Sequence, residues 1–321
     1  MPLQSAQKLP FCKYPKSIDI GEHGLQALPA ELPIISLDAV QPYRSTLYTI
    51  KSTETLNSTQ FLELTKVIAR SFSINEPMAK HLQPPKACPA EVIGKVHKDS
   101  LGEDLFGEWT KENILFWVFR LFIITNPASR LHDISVNAHV IKHSLAVFNN
   151  AGEIIGGAIN INLSLPETEQ PIRSNDPFIN AVLPFFEPVY QLLSLQINLS
   201  LGALRSAYPA FRIALADNKV ADLNLIARSP SLAKEDTFEL VAETAERYQQ
   251  SGFEYLVISA ANQWTGAACE ILGGVRVHFS PYRHSKLVHE SSEALEGIAS
   301  STDGYISGKD SGSMLYIIRL Q

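Results

Sequence analysis

A mixed α+β fold, with a central sheet and helices on both of its faces, is predicted for this chain of 321 residues by three observations. Several segments repeat apolar residues at spacings of three and four, as amphipathic helices do. Others alternate, or run apolar over a short length between turn residues, as strands do. The two kinds of segment interleave from residue 46 to the C-terminal stretch.

The bulk properties suit such a fold. Hydrophobic residues make up 45% of the chain and charged residues 19%, and the mean hydropathy is close to zero, so core material is ample. The net charge of −6 is spread without a Lys/Arg block, which argues against nucleic acid as a partner. Cys12, Cys88 and Cys269 lie far apart with no CxxC spacing, which speaks against a disulfide framework or a zinc site and for a reducing cytoplasm. "MPLQSAQKLPFCKYPK" lacks the apolar run of a secretory signal, so no targeting segment is expected. "ILFWVFRLFII" at 114–124 contains Arg120 and falls well short of the ~20 residues of a bilayer span, so no membrane is expected either.

Residues 1–45, rich in Pro and Gly, read as an extended arm laid over the domain. "TLYTIKS" at 46–52 alternates like a strand. In "STQFLELTKVIARSF", Phe61, Leu64, Ile68 and Phe72 form one helix face, with Ser58 or Thr59 as the expected cap. A second apolar helix is expected over roughly 104–124. Its Trp109, Phe116, Trp117, Phe119 and Phe122 suit either an apolar pocket or plain core. "HSLAVFNNAGEIIGGAININ" at 143–162 reads as two antiparallel strands about an "NNAGE" turn. A connection helical in its middle leads to the strand "ADLNLIARSP". Phe238, Val241, Ala245 and Tyr248 mark the next helix, which Ser251 and Gly252 close. "FEYLVISA" is a strand, "NQWTGAACEILGG" a short helix, and "VRVHF" and "SMLYIIRL" the last strands. The expected organisation is the arm at 1–45 and one domain at 46–321, with helical insertions at about 84–130 and 165–215.

The closing unit "SGFEYLVISAANQWTGAACEILGGVRV" and the order of elements resemble the GNAT superfamily of acyl-CoA-dependent N-acetyltransferases. The first helix is most similar to insect-type arylalkylamine acetyltransferases, and the likeness covers most of 46–283. It implies acetyl-CoA as co-substrate and a small amine as acceptor. Asn262 matches the asparagine that contacts coenzyme A, Glu270 an acidic position, and Leu272 with Gly273 the helix end. Where many members carry a Tyr that protonates the leaving thiolate, this chain has Cys269. A thiol of ordinary pKa near ~8.5 is a possible proton donor, and Cys is also a common buried hydrophobe. In "SFSINEPMAKHL", Glu76 and Pro77 match the Glu-Pro pair whose Glu the insect enzymes use as general base. An ammonium acceptor must lose a proton before its nitrogen attacks a thioester, and a carboxylate can take it. A local capping role for Glu76 fits the same dipeptide.

The pyrophosphate loop departs from the pattern. The family places Arg/Gln-x-x-Gly-x-Gly/Ala after the strand that holds the pantetheine arm, here the strand of Ile226 and Arg228. Aligning Pro230 with the usual proline puts Ala233 at the Arg, Lys234 at the first Gly and Asp236 at the second. Side chains there crowd the backbone's approach to phosphate. Asp236 with Glu239 is expected to form a capping box that consumes the helix's free amides, leaving Lys234 as a flexible point charge. Two readings stand: an acetyltransferase-like protein, or a member of the fold that has lost transfer and binds another ligand or a protein. His139 and His143 are expected to be solvated or core. Ser144 and Ser259 lack a nucleophile elbow, and Asp99, Glu103 and Asp104 are expected to form a solvated, helix-capping cluster.

Overall fold

β-Branched and apolar runs pair into one seven-stranded sheet, ordered β1-β2-β3-β4-β5-β7-β6. The computed structural model describes residues 25–35, 37, 47–76, 110–124, 142–163, 196–233, 236–281 and 312–321. The strands are β1 (Tyr48–Ser52), β2 (Leu145–Asn149), β3 (Ile154–Asn162), β4 (Val220–Arg228), β5 (Tyr255–Ala260), β6 (Val275–Pro281) and β7 (Gly312–Arg319). Described helices are α1 (Ser58–Asn75), α2 (Lys111–Ile124), α3 (Pro209–Ala216), α4 (Thr237–Gln250) and α5 (Gln263–Ile271), with a further helical stretch over 196–207. Cys12, Cys88, Trp109, His139, Lys234 and the acidic cluster at Asp99, Glu103 and Asp104 lie outside the described residues.

Every expected strand is present, and β4–β5 is the parallel pair among the described strands. Its crossover is α4, whose Phe238, Val241, Ala245 and Tyr248 are all buried against the sheet as their spacing predicts. α4 and α5 cover one face. α1 covers the other face over β3 and β4, and the stretch 196–216 packs there against Tyr255, Val257, Leu315 and Ile317. The hairpin turn between β2 and β3 closes through Asn149 Oδ1, which accepts from the N–H groups of Ala151 at 3.0 Å and Glu153 at 2.9 Å.

Two local outcomes differ from expectation, and a third decides between two alternatives. α1 is capped by Asn57, not Ser58 or Thr59: Asn57 Oδ1 accepts from Gln60 N and Gln60 Oε1 accepts from Asn57 N, a complete capping box. α3 opens on Pro209 at a position that needs no N–H, and its short "PAFRIALA" period lies hidden within the connection. The aromatic run resolves towards core at Phe116 and Phe119, the latter edge-on to Phe72 at 4.8 Å between centroids.

Two polar devices tie helices to the sheet. Buried Gln196 donates to the carbonyls of His278 (3.1 Å) and Ser313 (2.9 Å) and accepts from the hydroxyls of Ser259 (2.5 Å) and Ser313 (2.8 Å). That single amide joins the 196–207 helix to β5, β6 and β7. Residues 25–35 add short bridges, Leu25 to His278 and Ile34 to Arg319, and Tyr208 donates to the Pro29 carbonyl at 2.6 Å.

α1 approaches the sheet closely because β3 carries Gly157 on the face it covers. A methyl group at Gly157 would stand 2.6 Å from both the Leu145 carbonyl oxygen and Leu64 Cδ1. Gly157→Ala is therefore expected to lower stability by about 1–3 kcal/mol in a denaturant titration. Gly202→Ala, in a helix with nothing within 4 Å of the new methyl, is expected to be neutral or stabilising.

Candidate active site

Parallel strands stay together only while their ladders stay in register. β4 and β5 pair from Val220 with Tyr255 to Leu223 with Ile258, and there the pairing stops. The next residue, Asn224, is skipped in the β3 ladder, where Ile159 faces Leu225 and Asn160 faces Leu223. Such a bulge bends and overtwists its strand. Leu225–Arg228 therefore pair with β3 alone, Ser259 and Ala260 with β7 alone, and a wedge-shaped notch opens between β4 and β5.

The notch presents backbone donors. Ser229 N–H points back to β3, donating to the Ile155 carbonyl at 2.7 Å. By alternation along the strand, the N–H groups of Arg228 and Ile226 point the other way, into the notch. That of Arg228 donates to Ser71 Oγ of α1 at 3.1 Å, so α1 leans on the open edge of β4. Asn75 Nδ2 donates to the same Ser71 oxygen at 3.3 Å. Glu76 follows as the C-cap of α1, half-buried, with its backbone N–H donating to Phe72 O at 3.1 Å. α1 thus holds its terminal carboxylate beyond a residue that touches the notch.

At the closed end of the notch lies a group the sequence reading passed over. Asp222 is 1% exposed, and Asn224 Nδ2 donates to its Oδ2 at 3.3 Å. Asp222 has no salt bridge among the described residues. Burial lifts its pKa to about 7, against a smaller downward pull from the Asn224 amide. The signal in the sequence was one carboxylate inside the apolar run "VADLNLIA". A buried carboxylate without a counter-charge is costly and marks a candidate functional group.

The other expected site residues divide. Asn262 N-caps α5, its Oδ1 accepting from Trp264 N (3.1 Å), Thr265 N (3.0 Å) and Thr265 Oγ1 (3.2 Å). Cys269 is 0% exposed within the core beneath α5, and burial pushes its thiol pKa up, so it stays protonated and packed. Glu270 binds Arg276 and accepts from Tyr316 OH at 2.8 Å, fastening α5 to β6 and β7.

The described residues of the loop after β4 bond among themselves. The amides of Ser231, Leu232 and Asp236 donate to Ser229 Oγ, Ser229 O and Ala233 O, and Ala233 N–H donates to Asp236 Oδ2 at 2.7 Å. The expected Asp236–Glu239 capping box does not form. Asp236 has helical φ and ψ of −66° and −17°, whereas a capping side chain reaches the helix amides from an extended backbone. Its carboxylate turns back to Ala233 and lies 3.3 Å from Tyr48 OH, whose one hydrogen is donated to Glu239 at 2.6 Å. Burial and these two carboxylates hold the Tyr48 hydroxyl pKa well above its ordinary value. Carboxylates still occupy the helix N-terminus, by a different wiring.

No family model matches the sequence, and no curated protein matches it. Among solved structures the chain is similar to an insect putative arylalkylamine N-acetyltransferase 7 from the yellow fever mosquito Aedes aegypti, with TM-score 0.50 and 11% identity over 85% of this chain and 88% of that one. The chain has the GNAT acetyltransferase fold. The arylalkylamine N-acetyltransferase 2 of Aedes aegypti matches with TM-score 0.47 and 12% identity over 85% and 99% of the two chains. The C-terminal condensation domain of Ebony in complex with beta-alanyl-dopamine matches with 0.47 and 11% over 85% and 98%. At such identity the likeness is one of fold, and the chemistry must come from the residues of this GNAT sheet. Among the described residues no helix is long and apolar enough to cross a membrane, and no group of three or more metal-binding side chains gathers.

Two buried groups give the protein a defined pH response. Asp222 rises from 3.8 to about 7 on folding, so the native state binds its proton more tightly and stability falls as pH climbs through that window. His143, stacked on Tyr248 at 4.9 Å, falls from 6.5 to about 4 because burial, with Lys142 and Arg247, disfavours its cation. Its contribution is complete above 6.5 and lost as pH falls towards 4. Asp222→Asn is expected to remove the decline between pH 4 and 7 and to raise stability at pH 8 by on the order of a few kcal/mol, measured by denaturation across pH.

Proposed function

We propose that this protein transfers an acetyl group from acetyl-CoA to a small primary amine, the notch between β4 and β5 receiving the thioester arm. The observation that carries the reading is the parting of β4 from β5 after Leu223 and Ile258, which leaves the outer half of β4 with strand-edge N–H groups facing the notch. In this reading Glu76, at the end of α1, takes a proton from the ammonium group, and the freed nitrogen attacks the thioester carbonyl. The N–H of Ile226 stabilises the oxyanion that develops, and that of Arg228 meets the pantetheine arm after Ser71 yields its bond. The tetrahedral adduct collapses with loss of the thiolate, which takes up the second nitrogen proton by way of solvent. Asn262 borders the arm through its Nδ2, the end of the side chain not engaged in capping α5. The core position of Cys269 removes it from proton transfer in this scheme.

A second reading, a GNAT fold without transfer, is favoured by the loop amides, which bond within the loop. Calorimetric titration with acetyl-CoA separates the two: heat and thermal stabilisation are expected under the first, and silence up to millimolar ligand sinks it. Glu76→Gln is expected to leave acetyl-CoA affinity unchanged while slowing acetylation of an amine panel by roughly 10²–10⁴-fold. Unchanged turnover would remove Glu76 from its role.

A further inference from the structure

A cavity of about 410 Å3 lies between the C-terminal half of α1 and the end of β4, next to the notch. Arg70, Ser71 and Asn75 line it from α1, and Arg228 and Ser229 from the strand end. No Asp or Glu belongs to its described wall. Neither arginine has a salt bridge among the described residues. Arg228 spends one guanidinium N–H on the Leu232 carbonyl at 3.1 Å, and a guanidinium carries five. Two guanidinium groups, two hydroxyls and an amide thus border one space of ligand size, with no carboxylate among the described residues of its wall. The described loop amides that would otherwise meet an anion are spent within the loop.

We propose that this cleft binds phosphate groups, and that the acyl carrier's phosphates are gripped by the side chains of Arg70 and Arg228 instead of by the amides of the β4–α4 loop. The inference rests on the acetyl-CoA reading for the identity of the ligand, and on the cleft itself for the anion. Ser71 belongs to both the cleft wall and the β4 edge, so a phosphate held here is continuous with an arm in the notch. Guanidinium groups suit the task because they meet phosphate oxygens in pairs and stay charged at any working pH. Such a grip weakens with salt far more than a cradle of buried amides would.

The test is titration of the full chain and of Arg70→Gln and Arg228→Gln with coenzyme A, inorganic pyrophosphate and phosphate-free pantetheine, at low and high salt. Arg70 is exposed, so Arg70→Gln is expected to keep the wild-type melting temperature. It is expected to bind coenzyme A and pyrophosphate roughly tenfold more weakly and pantetheine equally well, with a shallower salt dependence. Pyrophosphate is expected to compete with coenzyme A. Wild-type coenzyme A affinity in Arg70→Gln, or no competition by pyrophosphate, overturns the proposal even if acetyl transfer proceeds. Arginine-dependent pyrophosphate binding without affinity for acetyl-CoA would instead leave the anion site standing and defeat the transfer reading.

Discussion

The end of β4–β5 pairing after Leu223 and Ile258 is the constraint on which the rest of this protein depends. A parallel pair that continued would satisfy the strand edges and leave nowhere for an extended ligand. One skipped residue, Asn224, turns the outer half of β4 away and leaves its donors facing a gap. Everything proposed for the site is measured from that gap: Asp222 at its closed end, Arg228 and Ile226 along one edge, α1 leaning over its mouth.

Competition for polar groups shapes the surroundings. A helix N-terminus opposite a strand end is a ready anion site, and here α4 fills it with Asp236 and Glu239, bridged by Tyr48 from the far edge strand. Arg70 and Arg228, without carboxylate partners among the described residues, stand on the opposite side of the same loop, where α1 meets it. Negative charge at the helix and positive charge in the cleft give the loop two distinct electrostatic sides. Asp222 belongs to neither, being buried between strands, and its ionisation is governed by desolvation.

Much of the fold was legible because burial in a sheet protein writes itself as period. The α4 face, the β2–β3 hairpin with its Asn-rich turn, and the apolar strands β5 and β7 could each be read from neighbouring residues alone. The short α3 could not, since "PAFRIALA" offers too few turns for a period to emerge from a longer helical connection. Cap identity was displaced by one residue at α1, because Asn57, Ser58 and Thr59 are all competent and only backbone geometry chooses among them.

The site was legible in its parts and not in its wiring. Asn262 at the start of α5 and Glu76 at the end of α1 stand where motif spacing put them. Asp236 and Glu239 were legible as the carboxylates of α4, yet their partner is Tyr48, 188 and 191 residues away in sequence. Gln196 reaches 117 residues to Ser313, and Ser71 reaches 157 residues to the amide of Arg228. By itself the sequence determined which segments are helix and strand, that the loop after β4 lacks glycines, and that a charge sits inside an apolar strand. Tertiary structure alone decided that the charge lies at the head of a notch and that two arginines share a cleft. Periodicity records each residue's burial relative to its own neighbours, whereas strand register and helix docking set which distant groups meet.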